Sequence, residues 1–481
     1  LRLAKILGAV TASALLASTI TAAPATAGPT LQNTIDPSSV KESVDYLVQT
    51  YRVSEREALR RLELQKDATG LEKTLKTEAA GEYGGMWLDQ QAGELVVAMT
   101  KPAAAQRQIA AMADRTHVKV RTVKNSLASL EAAHDRISRQ VGAGADSVYL
   151  PAVSTTENRV VVWERAWLRE NKPNAAAQAE VRTFDADPGM VSARVLPKPA
   201  PYSSVDPVDW GFCHPLYCTG YGPMRGGLRL DMRRDNGTTG GCTAAFNLRT
   251  TGGAFPGVPW VLTAGHCMAT KTNNVPTEHN RQAILNQHGI EKNAYPYDYA
   301  ALRYVDAATQ NTWLDSQTNR NIVLKYCRNG GLDSNGDTPC GPQATSQNQE
   351  ITSVTPLSGI LTGAVVCATG SGASSVNYPD SYDSGSGADY LVGTRCGRVL
   401  STDVGINTDL CARNGDSGSP LFSQVTSAGL GILNGSQQSR SGPCQLGELN
   451  NYAPLSTILE DLSARQASGG SVFSVITTPQ G

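Results

Sequence analysis

Three separated stretches hold residue types that can do chemistry together. The strongest is Asn414-Gly415-Asp416-Ser417-Gly418-Ser419-Pro420. A serine hydroxyl is a weak nucleophile until a base takes its proton. Flanking glycines let the chain bend so that Ser417 is presented. They also let the amides of Gly415 and Ser417 converge on one point, where one such donor to an oxyanion is worth about 10²–10³ in rate. The second stretch is Trp260-Val261-Leu262-Thr263-Ala264-Gly265-His266-Cys267. A β-rich run enters a tight Ala-Gly turn and presents an imidazole, whose near-neutral pKa suits a general base and acid. The third is Tyr297-Asp298-Tyr299-Ala300-Ala301-Leu302. A carboxylate in apolar surroundings is costly unless paired, and an imidazole N–H is a suitable partner.

These motifs need elements to hold them, and the chain divides accordingly. Of its 481 residues, 1–27 carry Arg2 and Lys5, an apolar stretch from Ile6 to Ile20, and Ala25-Thr26-Ala27. That is the layout of a secretory signal peptide, with cleavage expected after Ala27. Residues 28–200 hold most of the charge: 45 of the 85 charged side chains lie in 29–200. The border carries Pro197, Pro199, Pro201 and Pro207, which favour an extended linker open to proteolysis. Residues 28–200 therefore read as one domain and 201–481 as another.

The first of these reads as α+β. Val44, Leu47, Val48 and Tyr51 have helical spacing, and Ala58, Leu59 and Leu62 follow. A pattern of hairpin, helix and strand then occurs twice. It runs from Gly85 through Glu94–Ala98 to His117–Val123, and from Val148 through Arg159–Val162 to Met190–Leu196. Two related subdomains are expected. The second domain reads as all-β, a sandwich or barrel, from short β-rich runs between Gly, Ser and Asn turns. One helix is expected over 454–464, with Leu455, Ile458, Leu459 and Leu462 on one face.

Charge and cysteine usage narrow the function. The net charge is −1, against a nucleic-acid or polybasic membrane role. After the N-terminus no apolar run reaches the ~18 residues of a spanning helix. All ten cysteines lie between Cys213 and Cys444, which reads as a disulfide-bonded exported domain joined to a cysteine-free one. Cys213-His214 and His279…His288 lack zinc-ligand spacing. Asp333-Ser334-Asn335-Gly336-Asp337 resembles the start of a calcium loop without the distal Glu, and reads as a turn. No metal or cofactor is expected.

The order His266, Asp298, Ser417 is that of the chymotrypsin type. At these residues the sequence resembles the chymotrypsin-like serine peptidases, and in particular the secreted bacterial branch of α-lytic protease and the streptogrisins. TAGHC, DYAAL and NGDSGSP look like the three active-site blocks. Tyr83–Gln90 and Gly93–Thr100 look like parts of that branch's pro-region. The resemblance implies an all-β double barrel, trypsin-like, preceded by the α+β pro-domain that acts as folding template and inhibitor. It implies His266 as base and acid, Asp298 as its orienter, Ser417 as nucleophile, and Gly415 and Ser417 amides as oxyanion hole. Asn434, Gly435 and Ser436 match the strand that pairs with substrate. The branch's disulfides fall on Cys242 with Cys267, Cys367 with Cys396, and Cys411 with Cys444.

Cys213, Cys218, Cys327 and Cys340 have no counterpart, and local pairs 213–218 and 327–340 are expected. Ser419 replaces a usual glycine and is expected to crowd the wall behind the nucleophile. Insertions are expected within 306–365. Position 411 is Cys, so no Asp there pairs a substrate Lys or Arg, and no His follows His288 to read Glu. An apolar or aromatic residue before the scissile bond is therefore expected. The whole reads as a secreted, monomeric serine endopeptidase made as a zymogen, with protein or peptide substrates and its own pro-domain as partners. An esterase using the same three residues, or an inactive binding protein on the same fold, remains the competing reading.

Overall fold

The computed structural model describes residues 35–142, 147–168, 189–198, 204–206, 223–237, 239–268, 274–279, 281–314, 321–324, 348–371, 393–436 and 447–477. These belong to one compact unit, Asn33–Gly481. The expected signal segment, the calcium-like loop, and Cys213, Cys218, Cys327, Cys340 and Cys444 lie outside the described residues.

The N-terminal part opens with helix α1 (Lys41–Tyr51), which buries Val44 and Leu47 one turn apart. It ends at Arg52 in the left-handed conformation. Ser54 then caps helix α2 (Glu55–Glu78) by accepting the Glu57 amide, a typical N-cap contact. The helical pattern thus runs well past the residues whose spacing announced it.

The hairpin β1 (Tyr83–Asp89) and β2 (Glu94–Met99) is antiparallel, and β3 (Val118–Thr122) adds parallel to β2. The crossover between them is a 3₁₀ turn, Pro102–Ala105, and a short helix, α3 (Gln106–Ala110). After α4 (Leu127–Val141) the same plan returns. β4 (Tyr149–Ser154) and β5 (Arg159–Arg165) are antiparallel, and β6 (Val191–Leu196) is parallel to β5. A parallel third strand demands a crossover, which is why each unit spends more residues after its hairpin than within it. The hairpin with its parallel third strand thus occurs twice, as expected of two related subdomains, while the helix expected after Pro173 lies outside the described residues.

The C-terminal part is built of β-sheet in two halves, as the expected double barrel requires. Two five-stranded sheets make its first half. One has the order Gln282–Leu285, Thr277–His279, Arg229–Arg233, Thr239–Thr243, Ser204–Asp206. The other has Ile290–Ala294, Tyr297–Arg303, Pro259–Thr263, Asn247–Thr251, Val472–Val475. The chain end thus returns to the first half as a strand, which its sequence did not announce. The second half is one seven-stranded sheet that runs Ser353–Val354, Ala428–Ser436, Pro420–Ser423, Val365–Gly370, Gly393–Ser401, Ile406–Thr408, Asn450–Pro454. Pairing of Ala428–Ser436 with Asn450–Pro454 closes it into a barrel.

Phe246, Leu262, Phe422, Ile432 and the helix residues Leu455 and Ile458 form one buried cluster that joins the halves. The N-terminal part shares another. Leu71, Leu75, Met86 and Leu95 pack in the same cluster as Val399, Ile406, Leu421 and Leu433 of the second half. Among the described residues no helix is long and apolar enough to cross a membrane.

Candidate active site

His266 and Asp298 come from neighbouring strands of the first barrel. Pro259–Thr263 is buried along its whole length and pairs with Tyr297–Arg303, Thr263 lying opposite Ala300. The chain then turns through Gly265–Cys267. Gly265 is required by close approach, since a Cβ there would lie 2.0 Å from the Lys292 carbonyl oxygen. The Cys242–Cys267 disulfide ties the turn to the strand behind it.

Asp298 is buried and takes both N–H groups of His266. The backbone amide donates to Oδ1 at 2.7 Å, and Nδ1–H donates to Oδ2 at 2.5 Å. With Nδ1 donating, Nε2 is left as the acceptor, and the Ser417 hydroxyl lies 2.7 Å from it. The three sequence motifs therefore meet as one hydrogen-bonded chain, with Ser417 supplied by the other barrel.

Ser417 sits in a turn that is held from several sides. Gly415 has φ +93°, a conformation a side chain rarely adopts. Thr243 grips the turn twice, its amide donating to the Ser417 carbonyl and its hydroxyl to the Gly415 carbonyl, both at 2.8 Å. Among the described residues, neither the Gly415 amide nor the Ser417 amide has an acceptor within the protein. Both stay available to an oxyanion.

Behind the turn, Asp416 is fully buried. It accepts from Arg395 Nη2 at 2.8 Å and from the Arg413 amide at 2.8 Å. Ser419, expected to crowd this wall, fits because its hydroxyl donates to the Asp416 carbonyl. The residue facing it is Gly370, where a Cβ would meet Asp416 Oδ1 at 1.9 Å and Ser419 Oγ at 2.8 Å.

Asn434, Gly435 and Ser436 end the strand Ala428–Ser436. On one side Gly435 and Ser436 pair with Asn451 and Asn450. On the other, pairing with Pro420–Ser423 stops at Ile432, and the Leu433 amide bonds the Ser419 carbonyl. Beyond Leu433 that edge meets no strand among the described residues. Cys367 and Cys396 form the second disulfide, and Cys411 is also disulfide-bonded.

Arg395, Thr243, Arg413 and Glu448 escaped the sequence reading. Arg395 lies 21 residues before Asp416, and Arg413 lies 35 before Glu448. No local pattern joins such pairs.

Residues 56–111 match the family model of the α-lytic protease pro N-terminal domain, and residues 231–458 match that of trypsin. The chain belongs to the trypsin-type serine peptidases that carry an α-lytic protease pro-region. This peptidase is a serine endopeptidase. Its likeness to solved structures is of low score. Protease A of Thermobifida fusca is 17% identical, with TM-score 0.30, over 53% of this chain and 99% of that one. Nocardiopsis protease is 19% identical, with TM-score 0.31, over 53% and 100%. Cellulomonas bogoriensis chymotrypsin is 20% identical, with TM-score 0.28, over 53% and 98%. The family assignment rests on the two domain matches and not on these likenesses. No curated protein matches the chain.

Proposed function

We propose that this peptidase is exported as a zymogen and cleaves peptide bonds through Ser417, His266 and Asp298. The observation that carries the reading is the unbroken hydrogen-bonded chain from Asp298 through His266 to Ser417. Ser417 Oγ attacks the scissile carbonyl carbon as His266 Nε2 takes its proton. Asp298 holds the imidazole in the tautomer with Nδ1–H and steadies the imidazolium. The carbonyl oxygen becomes an oxyanion between the amides of Gly415 and Ser417. Collapse expels the amine, which takes the proton from Nε2. Water, activated by the same nitrogen, then hydrolyses the ester at Ser417.

Substrate backbone would pair with the free edge of Asn434, Gly435 and Ser436, as a strand added to a sheet. An apolar or aromatic residue is taken before the scissile bond. Residues 1–27 act as the export signal, and 28–200 as pro-domain to the peptidase domain 201–481. The helices and β1 packed on the second barrel support a template role for the pro-domain. A binding protein would have no use for a hydroxyl aimed at an oriented imidazole, so the catalytic reading is favoured over an inactive homologue.

The test is labelling with a serine-directed phosphonate followed by peptide mapping. The expected adduct is on Ser417 and is lost in His266→Ala. An unlabelled protein, or an adduct on another serine, would refute the assignment.

A further inference from the structure

We propose that Asn451 is a positioning residue for peptide cleavage: its buried side-chain amide fixes a bulge at Asn434 and thereby aims the substrate-pairing edge at Ser417. The inference rests on the reading of Ser417 as nucleophile and of Asn434–Ser436 as the strand that pairs with substrate.

The bulge lies beside the nucleophile turn. Leu433 bonds that turn twice, its amide donating to the Ser419 carbonyl and its carbonyl accepting the Gly418 amide, both at 2.9 Å. On its other side Leu433 pairs with Tyr452, and the next pair is Gly435 with Asn451. Asn434 is thus one residue too many for the partner strand. A bulged residue has no place in the ladder, and it bends the strand that carries it. Here the bend falls at the first residue past the nucleophile turn, where the substrate edge begins.

Without ladder bonds the bulge needs another hold, and its side chain supplies one. Asn434 Nδ2 donates to Asn451 Oδ1 at 3.2 Å. Asn451 Nδ2 in turn donates to Asn407 Oδ1 at 2.9 Å and to the Val404 carbonyl at 2.7 Å. Asn407 Nδ2 donates onward to Ser401 Oγ at 3.0 Å. Asn434 is 4% exposed and Asn451 is fully buried. With its oxygen and both N–H groups engaged, the Asn451 amide cannot rotate without breaking all of these bonds. The packing around it is tight: Gly405 has φ +68°, and a Cβ there would lie 2.8 Å from both Asn451 Nδ2 and Oδ1.

The far end of this chain reaches the other barrel. The Val404 carbonyl also accepts the Tyr295 hydroxyl at 3.4 Å, and Tyr295 lies three residues before Asp298. One carbonyl therefore receives both a side chain from the Asp298 segment and the amide that steadies the substrate edge. Buried polar groups need matched partners, which apolar residues of the same size do not, so filling space alone does not account for amides in series. Their place gives them a consequence for the reaction. A shift of Asn434 moves the paired substrate backbone relative to Ser417 Oγ, and a small misplacement of reacting atoms costs rate.

The test compares an extended peptide, which pairs along the edge, with a single-residue ester, which reaches Ser417 without it. Rates are kcat/KM per phosphonate-titrated site, and the readout is the peptide-to-ester ratio. Asn451→Leu removes the amide at similar volume and should lower that ratio about tenfold, as should Asn434→Ala. The double variant should match either single one, because both changes break the same connection. Where Asn451→Leu yields no titratable sites, Asn407→Ala trims the half-buried far end of the chain and should lower the ratio about threefold. A ratio within about twofold of the parent, whether or not both rates fall, would reduce the amides to scaffold and overturn the proposal. Effects that simply add in the double variant would overturn it too. A parent that takes up no phosphonate fails earlier, at the catalytic reading, and takes this inference with it. A parent that labels but gains nothing from peptide length refutes the strand pairing, and the inference falls with that.

Discussion

The side-chain amide of Gln65 holds the backbone of Val365 at both ends. Its Nε2 donates to the Val365 carbonyl at 3.0 Å, and its Oε1 accepts the Val365 amide at 2.7 Å. A pro-region side chain thus stands in for a neighbouring strand at the point where the Val365–Gly370 strand begins. Two residues on is Cys367, and the Ser43 hydroxyl of α1 lies 3.3 Å from its sulfur. The Leu88 amide of β1 donates to the Thr362 carbonyl at 2.9 Å. The pro-region therefore holds the start of the Val365–Gly370 strand of the second barrel by hydrogen bonds as well as by apolar packing.

Gln65→Leu should weaken this docking. It leaves the buried Val365 amide and carbonyl unpaired, at about 1–3 kcal/mol per group. The separated pro-region carrying the change should bind the peptidase domain about tenfold or more less tightly by calorimetry, a loss at the low end of that range. An unchanged affinity would show that the contact is incidental.

Docking should also weaken as pH rises toward neutrality. Burial raises the Asp403 pKa from 3.8 to about 6, Glu157 adds to the rise, and Arg194 and the Trp163 N–H oppose it. These three partners all belong to the pro-region. Asp403 also lines a cavity of about 390 Å³ with Glu72, Glu131 and His134 of the pro-region and Glu460 of the helix Leu455–Ala464. A carboxyl whose pKa is higher when docked opposes docking once ionised. The penalty is absent below the ordinary carboxyl pKa, grows between about pH 4 and 6, and is complete above. Affinity measured from pH 4.5 to 7.5 should fall, and Asp403→Asn should flatten that slope. A parent profile as flat as the variant's would contradict this.

Arg395→Met should be severe. It leaves Asp416 as a buried carboxylate without its guanidinium partner, a loss of about 3–5 kcal/mol. The turn from Arg413 to Ser419 is built on that carboxylate, so fewer titratable sites and a lower melting temperature are expected. Full labelling at the parent's melting temperature would show that Arg395 is dispensable.

Thr243→Val should act on rate more than on binding. It removes the hydroxyl that fixes the Gly415 carbonyl and so aims the opposite face of the turn. A kcat lower by about tenfold with KM nearly unchanged is expected, as for a loosened oxyanion donor. An equal rise in KM with kcat intact would assign Thr243 to substrate binding.

The candidate site was legible in the sequence wherever chemistry is carried by short motifs. TAGHC, DYAAL and NGDSGSP each need local backbone geometry, so neighbouring residues record it. The repeated hairpin, helix and strand of the pro-region showed for the same reason, since each unit is a contiguous segment. What did not show is built across the chain. Arg395 with Asp416, Arg413 with Glu448, and Gln65 with Val365 join residues whose neighbours bear no mark of the partner. The closing strand Val472–Val475 is short and follows turn residues, so its pairing with Asn247–Thr251 depends on tertiary contact alone.

The central claim is that Ser417, driven by His266, breaks peptide bonds. The most direct test follows the intact mass of residues 28–481 over time under oxidising conditions, beside Ser417→Ala. The account predicts that the parent cuts itself near residue 200 and then hydrolyses peptides, while Ser417→Ala alone stays whole, and stays inert even after a trace of exogenous protease has cut its linker. Peptide hydrolysis that survives in purified Ser417→Ala would contradict it.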